Sequence, residues 1–430
     1  MLSVSSPKPD NNRDERIFRA VYLFTSAFPE LKSHLSSSGN TPLHLALLHN
    51  GHSEKLIRLL LDFENERIAH SILTRKNKSG KLPIHVAVCT GVPMYVLRLV
   101  VAESIKAFPS SSSQKINKDP FQYIYTNIAH IEDENGMNAF EMAWVRRLNP
   151  NFRRFKERAR NSRKTNLTFT SLFKEAIEQV EMEYKTCIKN FATADRIDSS
   201  TSVNNSNTMT DSSKVYLKEQ TIADKILGSF WSNTLLLLRG THYGTISDPL
   251  PGGHKWRMVH AASALWSCPL GILKVTILLH PEQIQEKDEN GMLPLHLAIH
   301  CYTNTIPSNR LLDFYEKVEF LITSYRGAAH ISNKYDELPL HMILKCLKKK
   351  KIWEESVWGR LVKIIARAYP EAVDVIDPVS GLYPFMHAAI SISECNPNDQ
   401  CKNNNYDALN ATYHLLRLSP TCVQIGIPRK

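Results

Sequence analysis

Five histidines, His44, His85, His260, His296 and His341, are the residues whose type and placement invite chemistry, as metal ligands or as general bases. Each stands five positions after the first residue of one short phrase: Gly39, Gly80, Lys255, Gly291 and Asp336 in turn. Two further copies carry another side chain there, Glu141 after Gly136 and Met386 after Gly381. A ligand set converges on one point from different parts of a chain. A residue that returns once per unit, at one helical position, serves each unit separately. The expected task of these imidazoles is therefore to tie a turn to its neighbour by hydrogen bonds. The acids Glu132 to Glu134, and Asp288 with Glu289, lie just before a copy, where negative charge favours a helix start, so catalytic carboxylates are not expected there.

Other chemical signatures are missing from the sequence. It holds no Walker-type phosphate loop, dinucleotide glycine fingerprint, nucleophile elbow or HExxH pair. Gly240–Gly244 and Pro251–His254 contain glycines but precede no convincing phosphate-binding helix, and read as loops. The eight cysteines form no paired framework. Cys395 and Cys401 are the only close pair and have no histidine at zinc-ligand spacing. The expectation is a non-catalytic chain without metal, cofactor or small-molecule substrate.

The elements that carry the histidines explain the phrase. In the first copy Gly39 can take the positive φ of a tight turn. Thr41 can offer its hydroxyl to the free amides of a helix start, and Pro42 suits the first helical position. Leu43, Ala46 and Leu47 then share one face, where the small alanine admits a neighbouring helix. Pro83, Pro294 and Pro339 open the equivalent helices. A second amphipathic stretch follows each, as in Leu56, Leu59, Leu60 and Phe63, or Ile272, Val275, Thr276 and Leu279. It tends to finish at an aromatic or His before Pro, as in Phe28-Pro29, His280-Pro281 and Tyr369-Pro370, where Pro acts as a stop. From Pro to the motif histidine is 15 residues at Pro29 and Pro281, but Pro370 to Met386 is 16, implying one inserted residue. Residues 13–28 thus read as a second-type helix and a capping half unit, with Ile17, Ala20, Val21, Phe24 and Phe28 on its apolar side.

Thr41-Pro42-Leu43-His44-Leu45-Ala46 resembles the T-P-L-H-x-A helix start of ankyrin repeats, and the copies at Pro83–Ala87 and Pro294–Ala298 are similar to it. The phrasing is also similar to divergent ankyrin-repeat families of unicellular algae such as diatoms. The resemblance implies an all-α, ankyrin-like helical-hairpin solenoid. The motif positions 44, 85, 141, 260, 296, 341 and 386 are more widely spaced than the repeat length of about 33. Loops or longer helices must absorb the excess. The motif Thr survives only at position 41, and the copies with Glu141 and Met386 depart from the regular repeat. A different helical solenoid is the alternative fold.

The phrase disappears between the third and fourth copies, dividing the chain into a first array at 1–143 with its N-terminal capping helix, an insert or linker at 144–216 and a second array at 217–430. The insert opens with nine Lys/Arg and one Glu between Arg146 and Lys164, a local +8 of the chain's +11. Ala192–Ser213 is rich in Ser, Thr, Asn and Asp and is expected to be a flexible loop, so the insert is partly disordered. Lys218–Arg239 is expected to open the second array. Lys345 and Lys348–Lys351 read as a solvated basic loop. No stretch has the length and apolarity of a signal peptide or a spanning helix, which suggests cytoplasm or nucleus.

A stack of like units offers a long surface for macromolecules. The expected function is a scaffold binding one or more proteins, with candidate contacts at Lys78, Asp133, Glu289 and Asp336 near the turns and His49 and His300 at helix ends. The alternative is polyanion binding, to nucleic acid or an anionic membrane, through Arg146, Arg147, Arg153, Arg154, Lys156 and Arg158.

Overall fold

A computed structural model describes residues 11–49, 51, 53–62, 66–107, 131–134, 136–148, 231–246, 255–305, 311–349, 357–393 and 402–420. Among them there are helices and turns and no strand. The chain divides into two compact units, Met1–His254 and Lys255–Lys430.

The first unit runs α1 (Asn11–Ala27), a 3-10 turn (Pro29–Ser33), α2 (Pro42–His49), α3 (Glu54–Leu61), α4 (Glu66–Leu73), α5 (Pro83–Thr90), α6 (Met94–Ala107), α7 (Ala139–Leu148) and α8 (231–243). The helices that open with the repeated phrase pack as one row, α2 on α5 on α7, and α1, α3 and α6 form the row behind them. Ala46, Ala87 and Ala143 are buried, so the rows approach closely where the phrase places its small residue. Ile57, Val96 and Val100 fill the core of the second row.

Four readings of this unit change. Ile17 and Val21 of α1 are part-buried, but Phe24 and Phe28 stand 62% and 53% exposed. A second-type helix has two apolar sides, one for each neighbour, and α1 has a described neighbour, α3, on one side. Helix α4 was not foreseen and takes up part of the excess spacing after the first phrase. Residues 231–246, expected to open the second array, belong with the first: Arg98 Nη2 donates to the Ile246 carbonyl at 3.1 Å. Gly240–Tyr243, read as part of a loop, completes α8. Gly240 is needed there, since a Cβ would lie 2.7 Å from Val101 Cγ1 of α6.

The second unit runs α9 (Met258–Ala264), α10 (Leu270–Leu279), α11 (Pro294–Thr305), α12 (Leu311–Ser324), α13 (Pro339–Lys349), α14 (Val357–Ala368), α15 (Pro384–Ser393) and α16 (Lys402–Leu418). Again two rows form, α9, α11, α13, α15 and α10, α12, α14, α16. In three of its repeats the second helix ends at an extended residue, His280, Tyr325 or Tyr369, with φ between −136 and −145°, followed by a 3-10 turn. Phe28 does the same in the first unit, at φ −139°. Pro pushes the residue before it into this region, yet Tyr325 precedes Arg326 and makes the same turn. Proline favours the break without being required for it. The insertion seen in the last copy lies in its turn, where Gly381 N–H bonds the Asp377 carbonyl four residues back, against three for Gly291 and Asp288.

Candidate interaction surface

Six of the seven copies present a described turn tip, built from a polar residue ahead of the phrase. Asn77 Oδ1 accepts the amides of Ser79 and Lys81, each at 3.0 Å. Asp288 Oδ1 accepts those of Asn290 and Met292 at 2.9 and 2.7 Å, and Asn333 Oδ1 those of Tyr335 and Glu337 at 2.8 and 3.1 Å. Ser36, Asp133 and Asp377 accept similarly from Asn40, Met137 and Val379. A short side chain that bonds amides two and four residues on holds the tight turn open for the residue at positive φ. In the sequence Asp133 and Asp288 read as acids favouring helix starts, and Ser36, Asn77, Asn333 and Asp377 are not singled out, although Ser, Asn or Asp three or four positions before the turn residue is a visible signal.

Successive tips are joined. Lys78 N–H donates to the Ser38 carbonyl at 3.1 Å, and Asn77 Nδ2 to Asn40 Oδ1 at 2.8 Å. Lys76 Nζ reaches the Glu132 carbonyl at 2.7 Å, and Lys287 Nζ the Ser332 carbonyl at 2.9 Å.

The motif histidines add a second tie beneath the tips. In His296, Nδ1 accepts the Leu293 amide at 3.0 Å, capping α11, while Nε2 meets the Ile331 carbonyl at 2.9 Å in the next turn. An Nδ1 that accepts an N–H carries no proton, so Nε2 is the donor and the ring is neutral. His44 bonds Thr41 N–H and the Lys81 carbonyl, and His341 bonds Leu338 N–H and the Val375 carbonyl, in the same way. His85 caps Leu82 N–H and lies under the influence of the Ile131 carbonyl, at a geometry outside normal hydrogen-bond limits. His260 Nε2 meets the Glu286 carbonyl at 3.0 Å, while Gln283 Oε1 accepts the Val259 amide at the start of α9. Burial pushes His85, His260 and His296 down to about 4, and also lowers His44 and His341, with the accepting carbonyls opposing in each case. A neutral ring bonded to backbone through both nitrogens, as in His44, His296 and His341, is poorly placed to bind a metal or shuttle protons.

The two departures from the motif keep part of this arrangement. Glu141 Oε2 accepts the Asn138 amide at 2.9 Å, the bond Nδ1 makes elsewhere, and Asn138 Oδ1 accepts from Phe140 and Glu141 in return. That is a capping box. In the last copy the imidazole sits one residue later: His387 Nε2 lies 3.0 Å from Asp377 Oδ2 and 2.8 Å from Ser380 Oγ, all within its own turn. Ser, His and Asp together suggest a hydrolytic triad, but both oxygens address the same nitrogen, so no relay through the ring exists. Lys345 Nζ completes this cluster at 2.7 Å from Asp377 and also pairs with Glu337. Lys345 is therefore not part of a solvated loop. Burial alone would raise the Asp377 carboxyl, but hydrogen bonds from Lys345 and Ser380 hold it well below the usual carboxylate range.

The candidate contacts separate by exposure. Lys78 and Asp336 are exposed on tips, and His49 is exposed at the end of α2. His300 is half-buried on α11. Asp133 is 7% exposed and occupied in its own turn, and Glu289 pairs with Arg257, so neither presents a free carboxylate. The tips also expose Tyr335, with Lys334 Nζ 5.0 Å from its ring centroid, which sequence reading did not single out. Arg146 and Arg147 lie on α7, with side chains outside the description, and Arg153, Arg154, Lys156 and Arg158 lie outside the described residues, as does Ala192–Ser213. Among the described residues no group of three potential metal-binding side chains occurs, and no helix is long and apolar enough to cross a membrane.

A family model described as ankyrin repeat matches residues 38–69, the span from the first tip through α2 and α3 into α4. No curated protein matches the chain.

Proposed function

The chain is an ankyrin-repeat protein with its family match at residues 38–69, and on that premise we propose that it is a non-catalytic scaffold whose turn tips and exposed helix positions hold partner proteins. Ankyrin repeats generally mediate protein–protein interaction. The observation that supports the reading is the tying of neighbouring tips within each unit by backbone and histidine bonds, as in Lys78 to Ser38 and His296 to Ile331. A surface ordered before binding loses little entropy on binding, so affinity comes from preorganised contacts spread over several tips. Lys78 in the first unit, and Lys334, Tyr335 and Asp336 in the second, are exposed on such tips. Among the described residues Cys89 and Cys268 form no disulfide, and burial raises Cys268 to about 12, which suits a reducing compartment, cytoplasm or nucleus.

Cross-linking mass spectrometry on protein affinity-purified from its own cells tests this. Cross-links from tip lysines such as Lys78 and Lys334 to other proteins are expected, and they should persist when residues 146–164 are deleted. Cross-links confined to 146–164, or abolished by nuclease, favour the second reading, polyanion binding, which rests on the nine cations against one acid in that segment.

A further inference from the structure

One face of the second unit is charged and apolar at once. Its second-type helices stack as α10, α12, α14 and α16. Each of the first three is followed by another helix, whereas α16 packs on α15, α14 and the turn at Pro370–Asp374 among the described elements. The side of α16 opposite its buried Ala411 and Leu415 carries Leu409, Tyr413 and Arg417 at i, i+4 and i+8, with Leu409 and Tyr413 56% and 60% exposed. Beside it on α14, Arg360, Lys363 and Arg367 share one face at i, i+3 and i+7.

Cations elsewhere in the chain are balanced: in the first unit Arg58 pairs with Glu54 and Lys106 with Glu103, each at 2.6 Å, and in the second unit Lys255 pairs with Glu286 at 3.0 Å. Arg360, Lys363, Arg367 and Arg417 form no ion pair with a described residue. The packing of α14 on α16 brings three of them together: after burial, Lys363, Arg417 and Arg367 all act to lower the His414 imidazole. Unpaired cations held together on folded helices repel one another, and an anion placed over them relieves that.

We propose that the face of α14 and α16 docks an acidic amphipathic helix of a partner protein, its apolar side over Leu409 and Tyr413 and its carboxylates over Arg367 and Arg417. The proposal rests on the scaffold reading and names the chemistry of one partner. A helix is the fitting shape because the fold itself adds a helix to this side at every preceding step. Acid is the fitting charge because Lys363, Arg367 and Arg417 gather there without an ion pair to a described residue, and apolar groups are needed to cover Leu409 and Tyr413.

The probe is a labelled helical peptide with Leu at i, i+3, i+4 and i+7 and Glu on both flanks, titrated into the full chain by fluorescence anisotropy. Binding is expected, with affinity falling about tenfold or more in the Arg367→Glu/Arg417→Glu double variant and clearly in Tyr413→Ser. The Lys78→Glu variant in the first unit should bind as the parent does. Circular dichroism melting checks that the exposed substitutions leave the fold intact. Absence of peptide binding, or equal affinity across all variants, overturns the proposal. So does retention of phosphatidylserine vesicles or single-stranded RNA that the charge reversal abolishes while the peptide stays unbound. Native cross-links at Lys78 and Lys334 alongside a failed peptide titration leave the scaffold standing and this face idle, so the two failures are distinguishable.

Discussion

The tips at Gly80 and Gly381 share a turn of the same hand, with φ of +67° and +69°, yet they are held in opposite ways. A Cβ on Gly80 would lie 2.4 Å from the Glu134 amide nitrogen, because the next turn lies directly on it. A Cβ on Gly381 would meet nothing within 4 Å. The covered tip is fixed from outside by its neighbour's backbone. The open tip is fixed from inside by the Asp377, Ser380, His387 and Lys345 cluster. A stack thus needs two kinds of turn, one that transmits order to the next unit and one that is complete in itself.

Acid should break the covered kind most. Burial holds His85, His260 and His296 at about 4, while an unfolded histidine titrates near 6.5. Above about pH 6.5 both states are neutral and the stability is fully present. Between 6.5 and 4 the unfolded chain takes up protons that the folded chain refuses, so stability falls, by several kcal/mol over the three sites together. Thermal midpoints measured across that range should drop steadily, and a His296→Gln variant should show a shallower drop.

Gly80→Ala should come next, at about 4 kcal/mol, since left-handed strain adds to a collision with backbone that cannot move aside. Denaturant midpoints of the full chain read it. Lys345→Met should cost about 2 kcal/mol by leaving buried Asp377 with fewer partners, whereas Lys78→Met on an exposed tip should cost almost nothing. Gly381→Ala should cost only about 1 kcal/mol, from conformation alone. A Gly381 variant as damaging as the Gly80 variant sinks the distinction between the two tips. The smallest effect should be a gain: Asp336 occupies the same turn position with φ +59°, and Asp336→Gly should stabilise by about 0.5 kcal/mol.

Much of the fold was legible locally. The phrase at Pro42–Ala46 marks a helix start through the proline ring, the Thr41 hydroxyl and the apolar spacing, and α2 begins at Pro42. The task of the histidines followed from their recurrence, but their partners did not, because the Lys81 or Ile331 carbonyl belongs to another unit. Glu141 was read as a defect since it is not histidine, although its carboxylate accepts the same amide. Phe24 lies on the apolar side of α1 yet is exposed, because periodicity reports that a face is apolar and is silent on whether anything covers it. The unbalanced face of α14 and α16 went unnoticed for a related reason: its cations are scattered singly along the chain and gather only when two helices pack.

Composition and spacing determined that this chain is helical, repetitive and without a recognisable catalytic set, because those properties reside in residues a few positions apart. Tertiary structure alone decided which turns are covered, which acids are already occupied and which cations stand together unpaired. Those depend on the distance between groups far apart in the chain, and only the packed rows set that distance.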